Sequence, residues 1–290
     1  MFNLTKLSFE FSKTHSDMMS DFLSGVGAIG VAEDFIDDSK SEINSYYPNF
    51  TNMNEVIYKI KNYVAVLEGE YGKLYLGEFN VEEIDESKWQ VWRDILKTVR
   101  VTDRIIIRPP WEEHDTQNDE IVIEINPSMA FGTGHHESTR LCLEAAEKII
   151  TNEKIESVLD VGCGSGILSI AAYKLGVNEV LAFDVDPVSI DETHQNMERN
   201  RISGKFTTKC CEIKDIQGKF DLILANVYAE PLISMSDEIK SRLNNNGRAI
   251  LSGFQDFRVK EIKLAYEKSG FTLVDTIQDD EWVCAVFRID

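Results

Sequence analysis

The sequence predicts an α/β protein: a mostly parallel seven-stranded sheet that ends in an antiparallel hairpin, preceded by a small α+β unit. Three observations predict it. Apolar strand-like runs alternate with helical patterns between Val158 and Leu251, as in a parallel sheet with crossover helices. The stretch from Ser157 to Pro187, SVLDVGCGSGILSIAAYKLGVNEVLAFDVDP, reads as strand, glycine turn, helix, strand and acid, the layout of a nucleotide-type ligand site on such a sheet. Two strand-like runs at the end, 271–277 and 282–287, flank the acidic turn Asp279-Asp280, which predicts the hairpin.

Taken in order, residues 1–85 predict a ferredoxin-like unit of order βαββαβ. Leu7, Phe9 and Phe11 alternate as on a strand. Ser16 is placed to cap a helix carrying Met18, Met19, Phe22 and Leu23 that stops near Gly25 and Gly27. Strands follow at 28–35 and around 43–47, separated by a Ser- and Asp-rich turn at 37–41. Val56, Ile57, Ile60, Val64 and Leu67 have helical spacing, and 74–84 reads as a last strand. A linker helix is expected over 86–100, with Trp89, Trp92, Ile95 and Leu96 on one face. The larger domain is expected over 101–290: strand-like runs at 105–107 and 121–125 precede strands at 158–161, 180–183, 206–209, 222–225 and 248–251.

Glycines suit the turn 162–166 because they accept positive φ and have no Cβ to hold a ligand away from the backbone. Their spacing here, Gly162, Gly164 and Gly166, is one residue shorter than the dinucleotide fingerprint. Asp160 ahead of the turn would repel a phosphate. This combination resembles motif I of S-adenosylmethionine (SAM) methyltransferases, whose ligand has an amino-acid end and no phosphates. Asp184, closing the next strand, suits ribose hydroxyls because a carboxylate accepts two hydrogen bonds.

Composition narrows the partners. The chain has 290 residues, 50 acidic and 30 basic apart from histidine, for a formal net charge of −20. That opposes a grip on nucleic-acid phosphates and is compatible with a basic protein partner. No window approaches the roughly 20 apolar residues of a membrane span, and the N-terminus lacks a signal peptide's apolar core, so a cytoplasmic location is expected; with no strong interface signal in the sequence, a monomer is expected. Five cysteines form no C-x-x-C pair, and no metal site is expected.

Two further segments carry candidate chemistry. Asn226 follows the apolar run Leu222-Ile223-Leu224-Ala225, which places it at a strand tip. There it either accepts a hydrogen bond from an attacking amine or caps the helix that starts near Pro231. The run 126–139, NPSMAFGTGHHEST, packs glycine, aromatic and hydroxyl residues as in a loop that folds over a ligand, and His136 is placed to cap the helix after it. Glu230 is the nearest candidate for a base, though it also suits a helix start.

FGTGHHEST (131–139), LDVGCGSGILSIAAYKLG (159–176), FDVDP (183–187) and ANVYAEPL (225–232) occur in this order. Together with RPPW (108–111) and LSGF (251–254), they resemble the ribosomal protein L-eleven methyltransferase (PrmA) family over essentially the whole chain. The resemblance implies a class I methyltransferase fold, Rossmann-like, behind a substrate-recognising N-terminal domain. It implies SAM as cofactor and a basic ribosomal protein as substrate, methylated on lysine side chains and the α-amine. By the same resemblance, Thr139, Gly162, Asp184 and Asn226 contact SAM, with Gly164 and Gly166 in the same turn. Phe131, Gly132 and Thr133 line the mouth for the target amine, so Asn226, Phe131 and Thr133 are the expected catalytic group. Phe131 and Tyr228 are aromatic candidates for holding a methylated product cation. Alternatives are an N-methyltransferase acting on another protein or on a small amine, and a non-catalytic SAM-binding ribosome assembly factor. A base-modifying enzyme is disfavoured, since Asn226 is followed by Val-Tyr-Ala rather than a proline pair.

Overall fold

A computed structural model describes residues 4–28, 30–37, 39–48, 51–84, 97–117, 119–126 and 136–289. The chain divides into two compact units, Met1–Leu96 and Lys97–Asp290. The expected linker-helix residues 86–96 and the loop residues 127–135, among them Phe131, Gly132 and Thr133, lie outside the described residues.

The first unit has the order β1 (Leu4–Ser12), α1 (Ser16–Gly25), β2 (Gly30–Phe35), β3 (Lys40–Pro48), α2 (Met53–Tyr71) and β4 (Asn80–Ile84). Its sheet runs β2-β3-β1-β4, every pair antiparallel, the strand order of a ferredoxin-like unit. Alternation on β1 sends Leu7, Phe9 and Phe11 into a core with Met19 and Leu23 of α1. Val56, Ile60, Val64 and Leu67 of α2 join them at helical spacing. Burying each such side chain contributes roughly 1.5–3 kcal/mol. The Asn52 side chain accepts from the Glu55 N–H and caps α2.

Two expectations for this unit are corrected. Ser16 does not cap α1. A 3-10 turn, Lys13–His15, leads into the helix, so the Ser16 hydroxyl instead donates to the Lys13 carbonyl at 2.9 Å. The expected strand over 74–84 is regular only from Asn80; Leu76 makes an isolated bridge to Phe11. That bridge is made by the Ser12 N–H on the Tyr75 carbonyl at 3.1 Å and the Gly77 N–H on the Glu10 carbonyl at 2.8 Å, a close approach in which a Cβ on Gly77 would lie 3.0 Å from Glu10 Cβ.

The second unit opens with a three-stranded sheet: β5 (Val99–Arg100), β6 (Ile105–Arg108) and β7 (Ile121–Glu124). Val99 and Arg100, assigned above to the end of a linker helix, are instead a strand paired with Ile107 and Ile106. The Thr98 N–H and hydroxyl both bond the Glu112 carboxylate and hold the chain extended just before it.

The main sheet is built from β8 (Ser157–Val161), β9 (Glu179–Asp184), β10 (Phe206–Cys210), β11 (Phe220–Asn226), β12 (Leu243–Gln255), β13 (Thr272–Asp279) and β14 (Trp282–Arg288). Its order is β10-β9-β8-β11-β12-β14-β13. The first five run parallel, and β14 is antiparallel to both of its neighbours, as the sequence predicts. The central strands bury both faces, which is why they read as unbroken apolar runs. Val158, Leu222, Leu224 and Ile250 face one core, with Leu141, Ala145 and Ile149 of α3 (Glu137–Asn152) and Ile167 and Ile170 of α4 (Ile167–Lys174). Leu159, Ile223, Ala249 and Leu251 face the other, with Leu232 of α6 (Ala229–Ser234), Ile239 of α7 (Ser236–Ser241) and Ile262 and Tyr266 of α8 (Val259–Lys268). The remaining helix, α5 (Pro187–Arg199), follows β9. Among the described residues no helix is long and apolar enough to cross a membrane.

Candidate active site

Three adjacent parallel strands, β9, β8 and β11, deliver their carboxyl ends to one rim, where open α/β sheets bind ligands. At the end of β8 the chain turns sharply. Gly162, Gly164 and Gly166 have φ of +68°, +51° and +78°, a region that costs other residues steric strain. The N–H groups of Gly162 and Cys163 both donate to the Phe183 carbonyl, tying the turn to β9. Gly166 then serves as the left-handed N-cap of α4.

Asp184 anchors the turn from β9. Its two carboxylate oxygens accept from the N–H groups of Gly164 at 3.1 Å and Asp186 at 3.0 Å. A carboxylate has about four lone-pair sites, so acceptor capacity remains for hydroxyls. Asp160 is almost fully buried. One oxygen accepts from the Ser169 N–H and hydroxyl at 3.1 and 2.6 Å. The other, Oδ1, is buried with no partner among the described residues. Burial pushes the Asp160 carboxyl up to about 7, against the Ser169 hydrogen bonds and with the help of nearby Asp184.

The third strand tip carries Asn226. Its Nδ2 donates to Thr139 Oγ1 at 3.1 Å, so α3 and β11 meet through two of the sequence-derived site residues. Its Oδ1 is buried without a partner among the described residues. The helix-cap alternative is not realised: α6 begins after Tyr228, with no side-chain cap. His136 does cap α3; its Nδ1 accepts from the Ser138 N–H at 3.2 Å, and its ring meets Trp282 edge-on. Burial holds this imidazole below its usual range. Glu230 bonds Arg258 Nη1 at 2.7 Å, which holds its carboxyl below the ordinary range. Tied to a guanidinium in the first turn of α6, it is a poor base.

The structure thus brings Thr139, Gly162, Gly164, Gly166, Asp184 and Asn226 to one rim. It also adds residues that sequence reasoning missed. Thr193 Oγ1 donates to the Gly164 carbonyl at 2.9 Å. Asn196 Nδ2 donates to the Ser165 carbonyl at 2.9 Å, and its Oδ1 accepts from the Asn126 N–H at 3.1 Å. Both side chains are fully buried on α5. Their signal was two polar residues three apart on the face that also carries Ile190, where the helical period calls for apolar ones.

A cavity of about 470 Å³ in the same unit lies elsewhere, lined by Arg108, Lys174, Arg199 and Arg201 among others. It sits at the C-terminal ends of α4 and α5, away from the glycine turn at the start of α4. Helix C-termini favour cations there, and none of the sequence-derived site residues lines it.

The site's polar atoms fit a ligand with an amino-acid end and hydroxyls. The buried Oδ1 atoms of Asp160 and Asn226 accept hydrogen bonds, Asp184 retains acceptor capacity, and the turn has no side chain at Gly162, Gly164 or Gly166.

Comparison with known proteins places the sequence and the fold in one family. The sequence model of the ribosomal protein L11 methyltransferase (PrmA) family matches residues 3–290. A ribosomal protein L11 methyltransferase of Thermoanaerobacter pseudethanolicus is 36% identical over 255 residues, covering 87% of this chain and 81% of the relative. One from Ruminiclostridium cellulolyticum is 33% identical over 300 residues, covering 94% of each. The crystal structure of a ribosomal protein L11 methylase from Lactobacillus delbrueckii subsp. bulgaricus superposes with a TM-score of 0.63 at 31% identity, over 67% of this chain and all of that one. The fold, the rim of strand tips and these matches together make the chain a methyltransferase that belongs to the ribosomal protein L11 methyltransferase family.

Proposed function

We propose that this protein transfers methyl groups from SAM to lysine side-chain and α-amino groups of ribosomal protein L11, in the cytoplasm. The observation that carries the reading is the Thr139–Asn226 pair at the β11 tip, beside the glycine turn and Asp184. SAM when bound supplies a methyl group activated on a sulfonium.

The protein's part is binding and orientation. Asp160 and Asn226 offer buried acceptors to the amino-acid end, and Asp184 offers acceptors to the ribose. The target amine must reach the site neutral. From a lysine pKa near ~10.4, losing the proton costs about 4–5 kcal/mol at neutral pH, and desolvation lowers that cost. Asn226 is suited to aligning the amine's lone pair, because Thr139 fixes its amide and leaves an acceptor oxygen. In-line attack needs that alignment, and holding it accounts for much of the rate. Phe131 and Thr133 complete the mouth in this reading. Residues 1–85 recognise the protein substrate, the role that follows from the family resemblance.

Calorimetry with SAM and with its demethylated product tests the cofactor. Mass spectrometry of ribosomal protein L11 incubated with enzyme and SAM tests the reaction, the expected result being mass added in multiples of one methyl. Asn226→Ala should lower kcat by about 10²-fold; an unchanged kcat would remove Asn226 from the mechanism. SAM binding with no methyl added to any ribosomal protein would favour an assembly factor.

A further inference from the structure

The chain leaving Asn226 at the end of β11 is gripped at its next residue, Val227. Val227 lies between Asn226 and Tyr228, and glycines from two strand ends close on it. A Cβ on Gly162 would lie 2.6 Å from Val227 Cγ1. A Cβ on Gly253, in β12, would lie 2.6 Å from the Val227 carbonyl oxygen and 2.9 Å from both its carbonyl carbon and its nitrogen. The two approaches differ in kind. Gly162 meets a terminal methyl, which can turn aside; Gly253 meets main chain, which cannot.

The neighbouring bonds make the same joint. The Val227 N–H donates to the Ser252 carbonyl at 3.1 Å, and Asn226 stands opposite Ser252 in the β11–β12 ladder. The buried Ser252 hydroxyl donates to the Val283 carbonyl at 2.8 Å. On its other edge β12 carries one extra residue between Leu251 and Phe254 relative to β14. This bulge contains Gly253 at φ +89°. Bulges of this kind bend a strand and re-aim what it holds, and a strand glycine often marks a close backbone approach.

We infer that Gly253 is a positioning residue for methyl transfer. Its bare Cα lets the bulged β12 backbone seat the Val227 peptide. Through that peptide it sets where the Asn226 amide and Tyr228 stand relative to the glycine turn. The inference rests on the role given to Asn226 above. Any side chain at 253 displaces the Val227 peptide, and a displacement of about 1 Å suffices to cost 10²-fold in rate. The glycine turn and Asp184 are held by other bonds, so the loss in kcat exceeds the loss in SAM affinity, which is confined to the Asn226 contact.

The test compares Gly253→Ala with Gly218→Ala. Gly218 has φ +93° with nothing within 4 Å of a Cβ, so its alanine variant carries the same backbone strain without the contact. Thermal midpoint, Kd for SAM, and kcat and KM for ribosomal protein L11 are measured on the full chain. Both variants should lose thermal stability, Gly253→Ala at least as much as Gly218→Ala. Gly218→Ala should keep its kcat and its Kd for SAM, while Gly253→Ala loses kcat by about 10²-fold with a much smaller rise in Kd for SAM. Val227→Ala trims the side chain that Gly162 meets and supplies a second reading: kcat lower by about tenfold, with a smaller change in Kd for SAM. Should Gly253→Ala fail to fold, the Val227 variant decides. Wild-type kcat in Gly253→Ala, or in Val227→Ala if that variant decides, overturns the positioning role when Asn226→Ala is inactive. Full activity in Asn226→Ala overturns the reading of the site itself.

Discussion

Asp160 sits out of water with one oxygen bonded to Ser169 and the other without a partner among the described residues. In an unfolded chain it would titrate near ~3.9; here burial raises it to about 7. The fold therefore favours its protonated form. Its contribution to stability is full below about pH 4 and is lost as pH rises through about 7. A bound ammonium would reverse that preference and expel the proton. SAM binding should release a proton and tighten as pH goes from about 5.5 to about 7, by up to tenfold per unit. Calorimetry in buffers of different ionisation enthalpy reads this directly, and Asp160→Asn should flatten the dependence. A Kd for wild type that does not move with pH would separate Asp160 from the ligand's amine. Much of this residue scale was legible in the chain itself. Asp160, Asp184 and the glycines announce themselves because few other residues suit a strand-tip turn. Thr193 and Asn196 do not, because polar residues on a helix ordinarily mark its wet face and only packing showed otherwise.

At the scale of elements, α5 acts as a brace for the glycine turn. Asn196 bonds both the Ser165 carbonyl and the Asn126 N–H, joining the turn to the chain that leaves β7. Asn196→Ala removes both bonds from a buried place. It should cost roughly 1–3 kcal/mol in urea unfolding and weaken SAM binding as well; a loss of stability with full affinity would make the brace structural only. The central strands were readable because helices cover both faces and leave them continuously apolar. β5 was not, since two residues carry no period, and its pairing with β6 is a tertiary fact. The isolated bridge at Leu76 was hidden for a related reason: it depends on bonds to Glu10 and Ser12 in a distant strand.

Across the whole molecule, charge is the dominant feature. A net −20 surrounds a reaction whose proposed substrate is basic. Such fields act mainly on the rate of encounter and are screened by salt. Between about 0.05 and about 0.5 M salt, kcat/KM for ribosomal protein L11 should fall about tenfold while kcat holds. A salt-independent kcat/KM would show that long-range attraction contributes little to capture. On unit 1 the acids even align: Asp34, Glu42 and Glu10 stand directly opposite one another on β2, β3 and β1. Like charges so placed disfavour pairing. Asn44 Nδ2 relieves this by donating to Asp34 at 2.9 Å and to Glu42 at 3.4 Å.

The reversed strand β14 has a bearing on biogenesis. It follows β13 in sequence, yet it inserts between β12 and β13, zips onto β12 along Arg248–Arg288 to Gln255–Trp282 and contributes Val283, Ala285 and Phe287 to the core. Until those residues leave the exit tunnel, β12 is a bare margin of hydrogen-bonding groups, the kind that recruits stray chains. A nascent polypeptide stopped short of Trp282 would therefore present an adhesive border, and solubility during synthesis hinges on the emergence of residues 282–288.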